Sequence, residues 1–518
     1  MAWSHRATVC LVLLGLGLSL AIVVLAVALS HHRASCGPGA FAHAAVAADS
    51  KICSDIGRAI LQQQGSPTDA AIAALICTGV VNPQSMGLGG GVIFTIYNAT
   101  TGKVEVINAR ETVPASHVWG LLDQCKKAQP LGTGAQWIGV PGELRGYAEA
   151  HRRHGRLPWA QLFQPTISML REGFRVPSVL SQYLSHNFLR PFLYSSSLSR
   201  LTVQDLAAFQ PDVAAPLEMT LGNYTLYSPP PPAGGAILNF ILNVLQGFNF
   251  SAETVARPEG KVNMYHHLVE TLKFAVGQRW WLWDSYSRPG IQNTSQNLLR
   301  EALAQHIRQK IDGRGDHQLS HYNLTGVRGN RMGTSHVSVL GEDGSAVAAT
   351  STINTPFGAM VYSPRTGILL NNELLDFCWR HEPGSTATPP PVPGERPPSY
   401  MVPSILVNKA QGSKLVIGGA GGELIVSAVV QTIMNKLWLG FDLTEAIAAP
   451  ILHVNSKGHV EYEPKFNEEV KKGLQDRGQS QSQSPRLFFL NTVQAVSQEG
   501  PCVYAASDQR KAGKASGY

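Results

Sequence analysis

The residues best placed to do chemistry are Gly333-Thr334-Ser335-His336. A cut after Gly333 would make Thr334 a new N-terminus, with a hydroxyl and a free α-amine on one residue. Such an amine has a reference pKa of about 7.7–8.0, against about 10.4 for a lysine, so a useful fraction is neutral near pH 7. It can take the hydroxyl proton, and one threonine then serves as nucleophile and base together. Ser335 is the rival nucleophile, one position on and of opposite strand parity. Taken alone, Gly-Thr-Ser ahead of a strand is also how ordinary strands begin, so the reading depends on the elements around it.

Those elements suit the presentation of a terminus. Thr334 to Leu340 is β-rich, Glu342-Asp343-Gly344 supplies a turn, and Ser345 to Thr352 returns, which predicts a hairpin. Upstream, His317 to Met332 is polar and lacks apolar periodicity, as an exposed linker would. Two halves therefore meet at Thr334, with boundaries of 31–333 and 334–518. The first half predicts helices near 54–78, a hairpin from Val92 to Arg110, and helical stretches near 143–182 and 261–276. The second adds a proline-rich loop from Pro383 to Pro403 and a buried helix from Leu424 to Trp438. Asp442 and Glu445 then cap a helix that must end before Pro450. Helices and strands interleaved in this way imply an α+β protein built in layers.

Composition sets the class and the compartment. Hydrophobic residues make up 44% of the 518 and charged residues 15%, which describes a globular chain. A net charge of +7 is slight at this length, and no basic run implies nucleic acid. Thr8 to Ser30 is an uncharged run of 23 residues. As a helix it would span about 34 Å against a hydrocarbon core of about 30 Å. That length predicts an uncleaved anchor behind a short tail, residues 1–7, rather than a signal peptide. Asn98, Asn223, Asn249, Asn293 and Asn323 each open an Asn-X-Ser/Thr triplet beyond it. These sequons place the body outside the cytoplasm, as a type II membrane protein of the cell surface.

Seven cysteines include Cys10, inside the apolar run. A helix over Ser54 to Gln64 that stops at Gly65 and a second one from Ser66 form a short antiparallel pair. Pro67 and Asp69 set the second N-terminus, and the pair brings Cys53 to Cys77 for a disulfide. Cys36, Cys125, Cys378 and Cys502 stay unassigned, with an odd thiol open among them. No HExxH, CxxC or carboxylate–histidine cluster points to a metal.

The motifs together resemble the gamma-glutamyltransferase family. The Thr334 hairpin, Thr350 to Asn354, Gly367 to Glu373, Leu415 to Glu423 and Ala506 to Tyr518 are similar to its small subunit. Met86 to Gly91, Ile107 to Glu111 and Ser228 to Gly235 are similar to its large one. Asn354 to Gly358 is closest to members that cleave glutathione conjugates. The resemblance implies an N-terminal nucleophile fold, a four-layer αββα sandwich, self-cleaved at Gly333-Thr334 into two fragments that stay together. It implies glutathione and its S-conjugates, leukotriene C4 among them, as donors. Water, amino acids or dipeptides would be the acceptors, and no cofactor is required. It also implies the Cys53–Cys77 bridge.

A γ-glutamyl donor has a free α-carboxylate and α-ammonium at one end and a scissile amide at the other. Arg110 is the expected grip for the carboxylate, although a guanidinium there also suits an ion pair with Glu111 or another carboxylate. Glu373 and Asp376 would hold the ammonium, and Asn354 and Ser399 would add neutral hydrogen bonds. Thr352 would orient Thr334. Gly418 to Gly422 joins a strand to a helix and could cradle phosphate, but it lacks a P-loop ending. The N–H groups of Gly421 and Gly422 suit an oxyanion better. Met86 to Gly91 reads as close backbone packing. Arg314-Gly315-Asp316 and His266-His267 carry no assigned role.

Two features depart from the family. Between Arg190 and Leu201 it has several tens more residues, so the chain carries an internal deletion. An uncleaved, silent membrane glycoprotein is therefore the alternative reading, and a nucleotide-binding protein a third. Tyr400 also replaces the second member of a serine pair and is expected to reshape the γ-glutamyl pocket.

Overall fold

Period-two alternation in the strands sorts the side chains into separate layers, and those layers fix where Thr334 points. The computed structural model describes residue 19 and residues 36–116, 120–128, 131–186, 201–279, 283–284, 287–288, 291–324, 333–380, 390–483 and 491–518. The strands in the first half are β1 (Ala45–Ala47), β2 (Gly91–Tyr97), β3 (Val104–Ala109), β4 (Asp212–Ala214), β5 (Leu217–Leu221) and β6 (Tyr224–Ser228). Those of the second half are β7 (Ser335–Leu340), β8 (Ala346–Thr352), β9 (Val361–Tyr362), β10 (Leu369–Leu370), β11 (Ser404–Asn408) and β12 (Ser413–Gly419). β13 (Leu452–Val454), β14 (Val460–Tyr462), β15 (Val493–Glu499), β16 (Cys502–Ser507) and β17 (Ser516–Gly517) complete them.

One antiparallel sheet runs β17-β1-β7-β8-β2-β3-β4 and the other β16-β15-β12-β11-β6-β5. Both draw strands from both halves, so the halves are one body. Ala45, Ala47, Leu340 and Ala348 of the first sheet meet Ile405, Val416 and Val496 of the second. The opposite face of the first sheet, with Val46, Phe94, Val337 and Val339, packs under helices Lys51–Gln62, Pro67–Val81 and Glu143–His154. The outer face of the second sheet, with Leu226, Leu406 and Ile417, packs under Gly235–Gln246, Pro258–Gln278 and Leu424–Leu437. Small alanines on the inner face of the first sheet let the two sheets approach closely.

The expected hairpins form, β2 with β3 and β7 with β8. Ser66 and Asp69 close a capping box ahead of Pro67–Val81, and Asp442 and Glu445 close another ahead of Leu443–Ala448. The stretch expected to be helical over 143–182 is broken into Glu143–His154, Gln164–Glu172 and Ser178–Ser185. Gly155 and Gly173 follow the first two, and Gly173 has φ of +83°. The described part of the expected linker, residues 317–324, is partly packed rather than fully exposed. Leu319–Tyr322 forms a 3₁₀ turn, Tyr322 is buried, and its hydroxyl donates to Glu270. The tail 1–7, the anchor 8–30 apart from Ser19, the bridge 187–200, the residues 325–332 and part of the proline-rich loop, 381–389, lie outside the described residues. Among the described residues no helix is long and apolar enough to cross a membrane.

Leu184, Val203 and Leu206 are exposed in the two helices that flank 187–200, and Leu144, Leu170 and Val176 are exposed further upstream. Close by in sequence, Glu143 is fully buried and accepts the Tyr147 hydroxyl. Burial pushes its pKa from the ordinary 4.5 to about 8, against the opposing hydrogen bond from Tyr147. The folded chain thus keeps this carboxyl neutral where the unfolded chain ionises it. Its contribution is fully present below pH 4.5 and is lost as pH rises towards 8. Glu143→Gln should therefore gain stability relative to the parent chain between pH 5 and pH 8, read from denaturation midpoints across that range.

Candidate active site

Thr334 stands immediately ahead of β7 and is 3% exposed. By alternation it shares the inter-sheet face with His336 and Ser338, while Ser335 shares the helix-facing side with Val337. Gly333 has φ of +104°, and a Cβ there would lie 2.1 Å from the Asn354 carbonyl oxygen, so only glycine fits. The Thr334 hydroxyl touches the Gly333 carbonyl oxygen, and Thr352 Oγ1 donates to that same oxygen at 3.0 Å. The two hydroxyl oxygens are 3.5 Å apart. Thr352 is in turn fixed by the Asn354 N–H at 2.8 Å. The bond expected to be cut thus has a nucleophile beside its carbonyl and a donor on its oxygen.

Arg110 follows β3 and is 1% exposed. It is no surface ion pair. Nη1 lies 2.7 Å from Glu373 and 3.6 Å from Glu111, and Nη2 lies 2.6 Å from Asp376. The guanidinium also donates to the carbonyls of Pro397 and Pro398, so the proline-rich segment holds it in place. Burial works against its charge, but Glu373, Glu111 and Asp376 outweigh that and raise its pKa. Burial also pushes Glu373 well up and Glu111 to about 7, with Arg110 opposing both shifts. Glu373 and Asp376 lie on the 3₁₀ turn Glu373–Arg380, not on a solvated loop. Glu373 meets Arg110 as an ion pair without well-aligned hydrogen bonds, and its Oε1 accepts from no described residue. Asn354, at φ of +78°, donates from Nδ2 to Asp376 at 3.0 Å.

Gly421 and Gly422 have φ of +120° and +61° between β12 and the Leu424–Leu437 helix. No described residue accepts from their N–H groups. Thr334, Thr352, Arg110, Asn354, Glu373, Asp376, Ser399 and Gly422 line one cavity of about 20 Å³. Tyr400 lines it too, with the Arg279 guanidinium stacked 3.9 Å from the ring centre. Burial holds the Arg279 pKa down to about 10. Met86 to Gly91 behaves as backbone packing. A Cβ on Gly89 would meet the Leu369 carbonyl and one on Gly90 the Thr352 carbonyl, each at about 2 Å. Among the described residues no group of three or more His, Cys, Asp or Glu is placed to hold a metal ion.

A family model for gamma-glutamyltranspeptidase matches residues 53–198 and 193–518. The glutathione hydrolase 5 proenzyme of Rattus norvegicus is 77% identical, and that of Homo sapiens 68% identical, each alignment covering 100% of both chains. The chain belongs to the gamma-glutamyltranspeptidase family. It is thereby an enzyme of γ-glutamyl hydrolysis and transfer. A cephalosporin acylase from Bacillus halodurans shares the fold, with a TM-score of 0.77 at 19% identity over 94% of this chain and 99% of its own. The alignment with the Rattus relative runs to 572 positions against 518 residues here, so about 54 positions of it face no residue of this chain. The two family matches meet at 193–198, inside the stretch where sequence reading places a deletion.

Within this member of the family, sequence reading missed two residues beside Thr334. Lys511 Nζ donates to the Thr334 carbonyl and lies 3.0 Å from Asp49, and both side chains are buried. Gln494 donates to the other oxygen of Asp49. Lys511 stands in the C-terminal motif that carries the resemblance, so its place was visible but not its contact. Arg279 was missed as well, because nothing in its helix marks it as facing Tyr400.

Asp376 receives both Arg110 and Asn354. Hydrogen bonds to charged groups contribute about 1.5–3 kcal/mol each. Asp376→Asn should therefore raise KM for a γ-glutamyl donor by about 10- to 150-fold. Cleavage at Thr334 should survive, and steady-state kinetics on the cleaved variant would check both.

Proposed function

We propose that the chain is a self-cleaving N-terminal nucleophile hydrolase with a threonine nucleophile. It acts on the γ-glutamyl bond of glutathione and of its S-conjugates, leukotriene C4 included. Thr334 Oγ1 first attacks the Gly333 carbonyl, the acyl group moves from nitrogen to oxygen, and water hydrolyses the ester. That step frees the Thr334 α-amine. In the mature enzyme this amine takes the hydroxyl proton as Oγ1 attacks the donor's γ-carbonyl. Gly421 and Gly422 hold the oxyanion, and the amine returns the proton to the leaving nitrogen. The γ-glutamyl ester then passes to water or to the amine of an amino acid or dipeptide.

One observation carries this reading. The Gly333 carbonyl lies against the hydroxyls of Thr334 and Thr352 in the same cavity as Arg110, Glu373 and Asp376. A cavity of about 20 Å³ has room for about one water. A γ-glutamyl group therefore enters only after Gly333 has left. Glu373, which meets the Arg110 guanidinium at 2.7 Å, suits an ammonium, and Arg110 suits the carboxylate beside it. Tyr400, backed by Arg279, replaces a small hydroxyl wall with a rigid aromatic one.

The same proposal places residues 8–30 in the plasma membrane as a single anchor, with 1–7 cytoplasmic and the catalytic body extracellular. The large fragment 31–333 and small fragment 334–518 stay together as a heterodimer. Asn223, Asn249, Asn293 and Asn323 are exposed and Asn98 is half-buried at the β2–β3 turn, which suits glycan attachment. A second reading, an uncleaved and silent glycoprotein, is favoured by Leu184, Val203 and Leu206, left exposed in the helices on either side of 187–200.

Sequencing the small fragment after expression in secretory cells separates the two. A fragment that begins at Thr334, absent from Thr334→Ala, is expected. A single intact chain in both would establish the silent form. Thr352→Val removes the donor to the scissile carbonyl while keeping its shape. Pulse-chase labelling should show its cleavage slowed by about 10²–10³-fold, the usual cost of losing one oxyanion donor.

A further inference from the structure

Six of the seven cysteines lie among the described residues, and they form three disulfides. Cys53–Cys77 joins two helices of the first half, as expected. The other two cross the cleavage point. Cys36 pairs with Cys502 over a separation of 466 residues, and Cys125 pairs with Cys378 over 253. The odd thiol left open by the sequence is therefore none of these four.

We propose that the mature enzyme is a covalent heterodimer, held by Cys36–Cys502 and Cys125–Cys378, and that the second bond positions the γ-glutamyl-binding turn. The proposal rests on cleavage at Gly333–Thr334.

The two bonds sit at different places and do different things. Cys36 precedes Phe41, which exchanges backbone hydrogen bonds with Val503 next to Cys502. β1 follows, between β17 and β7, both of the small fragment. This bond fastens the membrane-proximal end of the large fragment to the edge of the second sheet, away from the chemistry. Loss of sheet pairing would then leave the fragments joined at high effective concentration, so that they re-form rather than dissociate.

Cys125–Cys378 lies at the site itself. Cys378 is two residues after Asp376 and five after Glu373, on one 3₁₀ turn of Glu373–Arg380. Short 3₁₀ turns have poor internal hydrogen-bond geometry and need outside support to hold a side chain in place. Here the support comes from the large fragment. Asn371 and Asn372 anchor the N-terminal end of the turn, through Gly139 and through Leu131 and Gly132 respectively. Leu374, Leu375 and Phe377 pack on Val113, Leu121 and Trp137. The disulfide closes the far end, and it is the one covalent tie between the turn and the fragment that carries Arg110. The carboxylates and the guanidinium that must grip one amino acid thus come from two fragments, with a bond beside them that keeps the distance fixed.

Thiol-blocked protein run on gels with and without reductant tests the covalent link. The expected result is two bands with reductant, the smaller starting at Thr334, and one full-mass band without it. Two bands under both conditions would overturn the proposal. One band under both would mean that cleavage itself had failed. Mass spectrometry of an unreduced digest would then decide, because linked 36–502 and 125–378 peptides support the bonds and free thiols refute them.

Kinetics test the positioning role. Cys125→Ser with Cys378→Ser should raise KM for a γ-glutamyl donor about tenfold or more, as expected for small misplacements of binding groups. Its kcat should stay within about threefold. Cys36→Ser with Cys502→Ser should leave both constants unchanged. Native reduction and alkylation of the parent chain should reproduce the KM shift if the first pair fails to fold. An unchanged KM in either form lacking Cys125–Cys378 would overturn the role.

Discussion

Strand β7 is paired on both edges, to β1 on one side and to β8 on the other. Toward β8 it is paired over its whole length, Ser335 to Leu340, and toward β1 from Ser338 to Leu340, so its ladder does not depend on the chain that leads into it. A cut ahead of it removes no ladder hydrogen bond. The same pairing fixes its parity, which sends Thr334 to the inter-sheet face and Ser335 to the helix face. On the proposed reading Thr334 would therefore keep its orientation on becoming a terminus. Lys511, bonded to the Thr334 carbonyl and balanced by Asp49, pins the residue from the other side. A new terminus would ordinarily fray, and here β8 and Lys511 hold it in place.

Charge is the second constraint. One guanidinium sits among three buried carboxylates, Glu111, Glu373 and Asp376. Burial penalises every charge in such a group and pushes Glu111 and Glu373 towards the protonated form. On the proposed reading, a zwitterionic amino-acid end would answer that imbalance, its ammonium meeting the carboxylates and its carboxylate meeting Arg110. Recognition of the γ-glutamyl group would then complete charges that the fold leaves unbalanced, and a neutral acyl group would leave them so.

Legibility in the sequence followed distance along the chain. The Thr334 hairpin, the helix caps and the Cys53–Cys77 pair depend on neighbours within a few tens of residues, and they were readable. Arg110, Asn354, Glu373, Asp376 and Ser399 come to one cavity from distant segments, and only resemblance could join them. The ion pair of Lys511 with Asp49 spans 462 positions and has no local signature. The pairing of Cys36, Cys125, Cys378 and Cys502 was illegible for the same reason, since spacing alone does not fix connectivity. Of the two partners expected for Arg110, a substrate or a carboxylate, the structure shows carboxylates, Glu111, Glu373 and Asp376.

The interleaving of strands from both halves bears on timing. β1 pairs with β17, so residues 45–46 find their partners at 516–517, the last strand of the chain. Pairings of such long sequence separation form late, because loop closure must precede any gain from them. During synthesis the first sheet stays open until residues 516–517 have been made, and Lys511 lies only five positions before them. A chain cut short ahead of residue 511 lacks both the last pairing of that sheet and the contact that pins the Thr334 carbonyl.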